Sequence, residues 1–178
     1  KSEDDPHVWQ DPLNDKIMVD NIARALSAAI PDSSAVFAAN AAAYNKKLDE
    51  VDAQIQQLVS TLPPENRKIV TDHDAFGYFI ARYDLQFVGT VIPGITSGSE
   101  ASAKDIATLE DTIRRENVKA IFAETSIDPR VSKQIAKDTN VNIIDTLYGD
   151  SLGKPGSGAD TVDGMLLANA NTIVDALR

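Results

Sequence analysis

The chain has two histidines, and both stand among carboxylates. His7 lies in Asp5-Pro6-His7-Val8-Trp9, and His73 in Thr71-Asp72-His73-Asp74-Ala75-Phe76. Neutral imidazole is the commonest metal ligand, and its charge changes near physiological pH. A further carboxylate, Asp150, sits in the glycine-flanked stretch Tyr148-Gly149-Asp150-Ser151. There is no cysteine, which excludes disulfides, thiolate metal sites and a cysteine nucleophile. Any metal site here is therefore built from imidazole and carboxylate. His7, His73 and Asp150 form a donor set suited to zinc or manganese. Their spacing is not a local motif, and no His-x-x-x-His is present. From residue chemistry alone His73 is as readily a structural histidine, with Asp72 or Asp74 the N-cap of the helix that follows.

Other chemistries leave weaker traces. Gly94, Gly98, Gly153, Gly156 and Gly158 form neither a dinucleotide fingerprint nor a P-loop. Ser97, Ser99 and Ser126 lack the Gly-x-Ser-x-Gly elbow of an α/β-hydrolase. Glu100, Glu124 and Asp150 leave a carboxylate-pair glycosidase open, against few aromatics for stacking sugars. The alternative for the histidines is a metal-dependent hydrolase using the same His and Asp residues, with Glu124 as base beside an open coordination position. No cluster of arginines or aromatics for gripping a substrate accompanies it.

Positioning these residues falls to a chain of 178 residues that is 43% hydrophobic and carries a net charge of −10. That charge argues against nucleic acid as a partner. No run is long enough to span a membrane, and the polar start Lys1-Ser2-Glu3-Asp4-Asp5 is no signal peptide, so a mature or trimmed chain is expected. Asp11-Pro12 reads as an N-cap followed by proline at the first helical position. Ile17, Ile22, Ala25, Leu26 and Ala29 form the expected packing stripe of that helix. Phe37, Tyr44, Leu48, Val51, Ile55, Leu58 and Leu62 predict one long amphipathic helix before Pro63-Pro64. Strands follow at 67–71, 86–91, 118–123 and 141–146, alternating with helices at 75–83, 102–116, 129–139 and 160–177. The fold class is thus α/β, a four-stranded parallel sheet flanked by helices and preceded by a long linker helix. Three parts are expected: residues 1–31 as lead-in and first helix, 32–64 as linker helix, and 65–178 as the α/β lobe. His73, Glu124 and Asp150 all fall just after strands, where open α/β sheets bind ligands.

Several segments in order carry a resemblance: Asp5-Pro6-His7-Val8-Trp9-Gln10-Asp11-Pro12, Asp72-His73-Asp74-Ala75-Phe76-Gly77-Tyr78-Phe79, Ile121-Phe122-Ala123-Glu124, and Leu147-Tyr148-Gly149-Asp150-Ser151-Leu152-Gly153. Through them the chain resembles the C-terminal half of the zinc- and manganese-binding solute-binding proteins of ABC transporters, the adhesin-like lipoprotein group. The resemblance implies two α/β lobes joined by a rigid helix, with the metal held between them. It implies His7, His73 and Asp150 as ligands, and Glu124 as a residue that orients a histidine. An imidazole at position 73, where manganese-binding members often carry glutamate, favours zinc. The implied partner is the membrane permease of the transporter, and the implied location is exported, periplasmic or membrane-anchored as a lipoprotein. The family's first lobe and its first ligand histidine have no counterpart here. Apolar surface that the lobe covers is therefore expected to be open and to drive self-association. The His7 segment is expected to be loose, as untied termini usually are.

Overall fold

A computed structural model describes residues 4–93 and 101–178. Helix α1 (Pro12–Ala29) starts where the sequence places it: the Asp11 side chain accepts from the Leu13 N–H, and Pro12 occupies the first turn. Helix α2 (Ser34–Ser60) has 27 residues, about 40 Å at 1.5 Å per residue. The two helices run back to back and are stitched by Lys16–Asp49 and Asn45–Asp20. No helix among the described residues is long and apolar enough to cross a membrane.

After Pro63-Pro64 the period changes from helical to strand-like. The elements are β1 (Lys68–Thr71), α3 (Gly77–Arg82), β2 (Gln86–Thr90), α4 (Ala103–Glu116), β3 (Ala120–Glu124), α5 (Arg130–Thr139), β4 (Asn142–Leu147) and α6 (Val162–Leu177). The strands form one sheet in the order β2-β1-β3-β4, every neighbouring pair parallel. Strand β3 is buried along its whole length, as a central strand covered on both faces must be. Local chemistry ends the helices on schedule. Ser102 and Asp105 form a reciprocal capping box at the start of α4. Asn117 and Asn140 take left-handed conformations at the ends of α4 and α5, a role a short amide side chain tolerates.

Two apolar cores lie on the two faces of the sheet. The larger joins Val51, Ile55 and Val59 of α2 to Phe76, Phe79, Phe122 and the buried side of α6. The smaller joins Val70 and Ile121 to Ile113 of α4 and Ile135 of α5. Burying the inner stripe of α2 in this way is worth roughly 1.5–3 kcal/mol per fully buried side chain. It fixes the long helix rigidly against the sheet.

Three expectations need correction. The α1 stripe does not pack: Ile17 is 59% exposed and Ile22 56%. The helix instead turns Pro12, Asp15, Val19 and Ala23 inwards, and leaves an open groove against Phe37, Asn40, Ala41 and Tyr44 of α2. Neither Asp72 nor Asp74 caps a helix. Helix α3 begins at Gly77 without any side-chain cap, and Asp72 is engaged elsewhere. The N-terminal segment is not loose, since His7 is only 3% exposed and Gln10 fully buried. The loop from Gly94 to Glu100, with Ser97, Ser99 and Glu100, lies outside the described residues.

Candidate metal centre

Strand β1 runs out at Thr71 and delivers Asp72 and His73 to the carboxyl edge of the sheet. Asp72 is fully buried, and its carboxylate accepts from the backbone N–H of His73 at 3.0 Å and of Glu124 at 2.8 Å. It thereby ties the end of β1 to the end of β3. Burial pushes its carboxyl up to about 6, and the nearby Glu124 charge adds to the rise.

His73 is completely buried. Its Nδ1 lies 2.6 Å from Glu124 Oε1, close but off the axis of a straight hydrogen bond. Its Nε2 has no hydrogen-bond partner among the described residues and faces Asp150 Oδ2 at 3.8 Å. Burial is the largest influence and works against the imidazolium, while the Glu124 contact works for it. With the Asp150 and Asp72 charges added, the His73 pKa lies above the ordinary 6.5.

Glu124, at the end of β3, is 1% exposed and serves two neighbours at once. While Oε1 meets His73, Oε2 accepts from the Asp150 N–H at 3.3 Å and from the Ser126 hydroxyl at 3.3 Å. So close an approach requires glycine at 149, since a Cβ there would overlap the Glu124 carboxylate. Glu124 is thus enclosed and committed to its neighbours rather than open to a free substrate.

His7 comes from the other end of the chain. Its backbone N–H and its Nδ1 both meet Asp5 Oδ1, at 2.9 and 2.7 Å. That leaves Nε2 pointing at Asp150 Oδ1, 3.5 Å away. Asp5 thus stands to His7 as Glu124 stands to His73: a carboxylate behind the ring that directs the far nitrogen inwards. The two rings meet edge to face with centroids 5.3 Å apart. One ligand atom each from His7, His73 and Asp150 can be chosen so that all lie within 4.8 Å of one another. The Asp150 carboxylate is the open side of the cluster, with its side chain 40% exposed.

Asp72, His73 and Glu124 also lie close enough to share an ion. Their polar atoms are largely committed to one another and to backbone N–H groups, so that cluster is support for the first. Sequence reading passed over Asp5 and the interior role of Asp72. Both sit within two residues of a histidine, but adjacency does not say which carboxylate turns inwards.

Residues 1–176 match the family model described as zinc-uptake complex component A, periplasmic. The chain is 33% identical over 174 residues to the metal ABC transporter substrate-binding lipoprotein FimA of Streptococcus parasanguinis, covering 98% of this chain and 56% of that protein. It is 35% identical over 183 residues to the zinc-binding protein TroA of Treponema pallidum, covering 99% and 58%. The solved structure of the periplasmic zinc-binding protein TroA from Treponema pallidum superposes with a TM-score of 0.91 at 34% identity, over 97% of this chain and 64% of that one. The Mn-bound periplasmic metal-binding protein of Candidatus Liberibacter asiaticus gives 0.88 at 28% identity, over 100% and 65%. The chain thus spans between half and two thirds of the length of these relatives. All are named as binding proteins, and none of the names supports the hydrolase alternative.

Proposed function

This chain belongs to the family of periplasmic zinc-uptake complex component A proteins, and from that premise we propose that it is the metal-holding part of a receptor for zinc or manganese import by an ABC transporter. It binds its cargo and performs no chemistry. His7 Nε2, His73 Nε2 and the Asp150 carboxylate are the ligands, and Asp5 and Glu124 orient the two rings. The observation that carries this reading is the fully buried Nε2 of His73, without a hydrogen-bond partner among the described residues, facing Asp150 beside the similarly directed Nε2 of His7. A buried polar atom left without a partner is costly and demands a reason, and a cation held among these three groups supplies one. Ligand atoms bound to one zinc at about 2 Å each lie roughly 3–4 Å apart, and the distances from the two imidazoles to Asp150, 3.5 and 3.8 Å, agree with that.

Two imidazoles and one carboxylate favour zinc, with manganese the second cargo. Residues 32–64 act as the linker helix of a longer protein, residues 65–178 as one lobe, and residues 1–31 lead in. A fourth ligand comes from the remaining lobe. That lobe also covers the apolar face of α1, which in its absence drives self-association. The protein works outside the cytoplasm, periplasmic or lipid-anchored, and hands its metal to the membrane permease. Titration calorimetry with zinc and with manganese, on this chain and on a full-length protein, tests the reading. Zinc binding that is lost or strongly weakened in His73→Ala is the expected result. Unchanged affinity in that variant would overturn it.

A further inference from the structure

The backbone carbonyl of Gly149, next to Asp150, accepts two side-chain donors from the far end of the sequence. Trp9 Nε1 donates to it at 2.9 Å and Gln10 Nε2 at 3.1 Å. Gln10 Nε2 also reaches the carbonyl of Tyr148 at 3.2 Å. Both donors lie on the single turn Val8–Gln10 that immediately follows His7. The loop they grip is already held on its other sides. Asn169 of α6 takes the Tyr148 N–H at 3.0 Å and donates to the Tyr148 carbonyl at 2.8 Å, and Glu124 takes the Asp150 N–H. What Trp9 and Gln10 add is the link between the loop and the His7 segment.

Gln10 is fully buried, yet its Oε1 has no hydrogen-bond partner among the described residues. Packing alone would be served better by an apolar side chain of the same size, because a buried polar atom without a partner is a cost. The amide is present for its N–H group.

We propose that Trp9 and Gln10 are positioning residues of the metal centre: their N–H groups lock the His7 turn to the Tyr148–Asp150 loop, so that His7 and Asp150 are presented to the ion as one unit. This rests on the metal reading above. It explains how a ligand at the seventh position of the chain is held against one 143 positions later without any strand or helix pairing between them.

The test uses zinc titration calorimetry on the full-length protein with Gln10→Leu and Trp9→Phe, each alone and combined with Asp150→Ala. Melting of the metal-free proteins runs alongside. Trp9→Phe keeps the ring and removes only the donor, so it reports even where Gln10→Leu folds poorly. Each single variant is expected to weaken zinc binding about tenfold, as loss of a group that orients a ligand usually does. Made on top of Asp150→Ala, each is expected to cost clearly less, since the clamp then joins His7 to a loop that carries no ligand. Wild-type affinity in both variants would overturn the clamp and leave the metal reading standing. The same loss with and without Asp150 would also overturn it, by showing a general effect on the fold. A wild-type protein that binds neither zinc nor manganese would overturn both.

Discussion

At the scale of single residues, His73 divides its ring between two tasks: Nδ1 meets a buried carboxylate, and Nε2 is left to the site. Zinc needs that imidazole neutral, so protons compete for it. Burial opposes the charged ring most strongly, but Glu124, Asp150 and Asp72 together make the net shift upward from 6.5. The competition therefore begins above that pH and zinc affinity falls as pH drops through it. With two histidine ligands the fall steepens towards about a hundredfold per pH unit, two protons being displaced per ion. Calorimetry between pH 5 and 8 should show this slope in the wild type and a flatter one in His73→Ala. Asp150→Ala should bind less tightly but keep most of the slope, because a carboxylate is already ionised in that range. Glu124→Gln should weaken zinc binding roughly 10- to 100-fold while leaving every proposed ligand in place. Unchanged affinity there would show that the ring needs no carboxylate behind it.

At the scale of elements, the seam between α1 and α2 contains a buried acid that is not part of the candidate metal centre. Asp15 is 5% exposed, and its Oδ2 has no hydrogen-bond partner among the described residues. Burial, and after it the charge of Asp11, pushes its carboxyl from 3.8 up to about 7. Across the seam stands Tyr44 of α2, itself pushed to about 12 by burial and then by Asp163, whose charge Lys47 partners. The folded chain holds the Asp15 proton more tightly than the unfolded chain does. Its contribution to stability is complete below pH 3.8, declines as pH rises, and is gone above about 7. The full swing is on the order of a few kcal/mol. Asp15→Asn, which cannot ionise, should raise the melting temperature clearly at pH 8 and little at pH 4. An equal gain at both would show that Asp15 does not titrate on folding. A second tie lies nearby. Arg82 of α3 pairs with Asp52 of α2, which also accepts from the Tyr83 hydroxyl. Asp52→Ala strips both partners and should cost about 2 kcal/mol, less than the 3–5 kcal/mol of a fully buried pair because Arg82 keeps some contact with water. Urea unfolding reads this directly.

At the scale of the whole molecule, Leu13, Ile17, Met18, Ile22, Leu26 and Ile30 leave apolar surface exposed along α1 and just beyond its end, and Ile22 and Leu26 border an open groove with Phe37 and Tyr44 of α2. We propose that this surface is covered in a longer protein by the lobe this chain does not contain. Sedimentation of the 178-residue chain should then show concentration-dependent association. Ile22→Glu should suppress it, while a full-length protein stays monomeric. A monomeric wild-type chain at high concentration would remove the case for an interface on α1.

The sequence by itself determined which elements form and in what order. Asp11-Pro12, Pro63-Pro64 and Ser102…Asp105 mark boundaries through local backbone chemistry, and the change from a helical to a strand period separates α2 from the sheet. Placement of His73 at a strand's carboxyl end followed from the α/β pattern. How much of α1 is buried could not be read that way: its best apolar stripe stays exposed, because burial depends on what lies opposite and not on periodicity alone. The same limit hid Asp5, Asp72, Trp9, Gln10 and Gly149. Their roles come from contacts such as Trp9 to Gly149, 140 residues apart, and from a carboxylate that tolerates only glycine beside it. Only the packing of β1, β3 and the first turn of the chain around one point decides which carboxylates face the histidines, since hydrogen-bond geometry is set by separation in space and not by spacing along the chain.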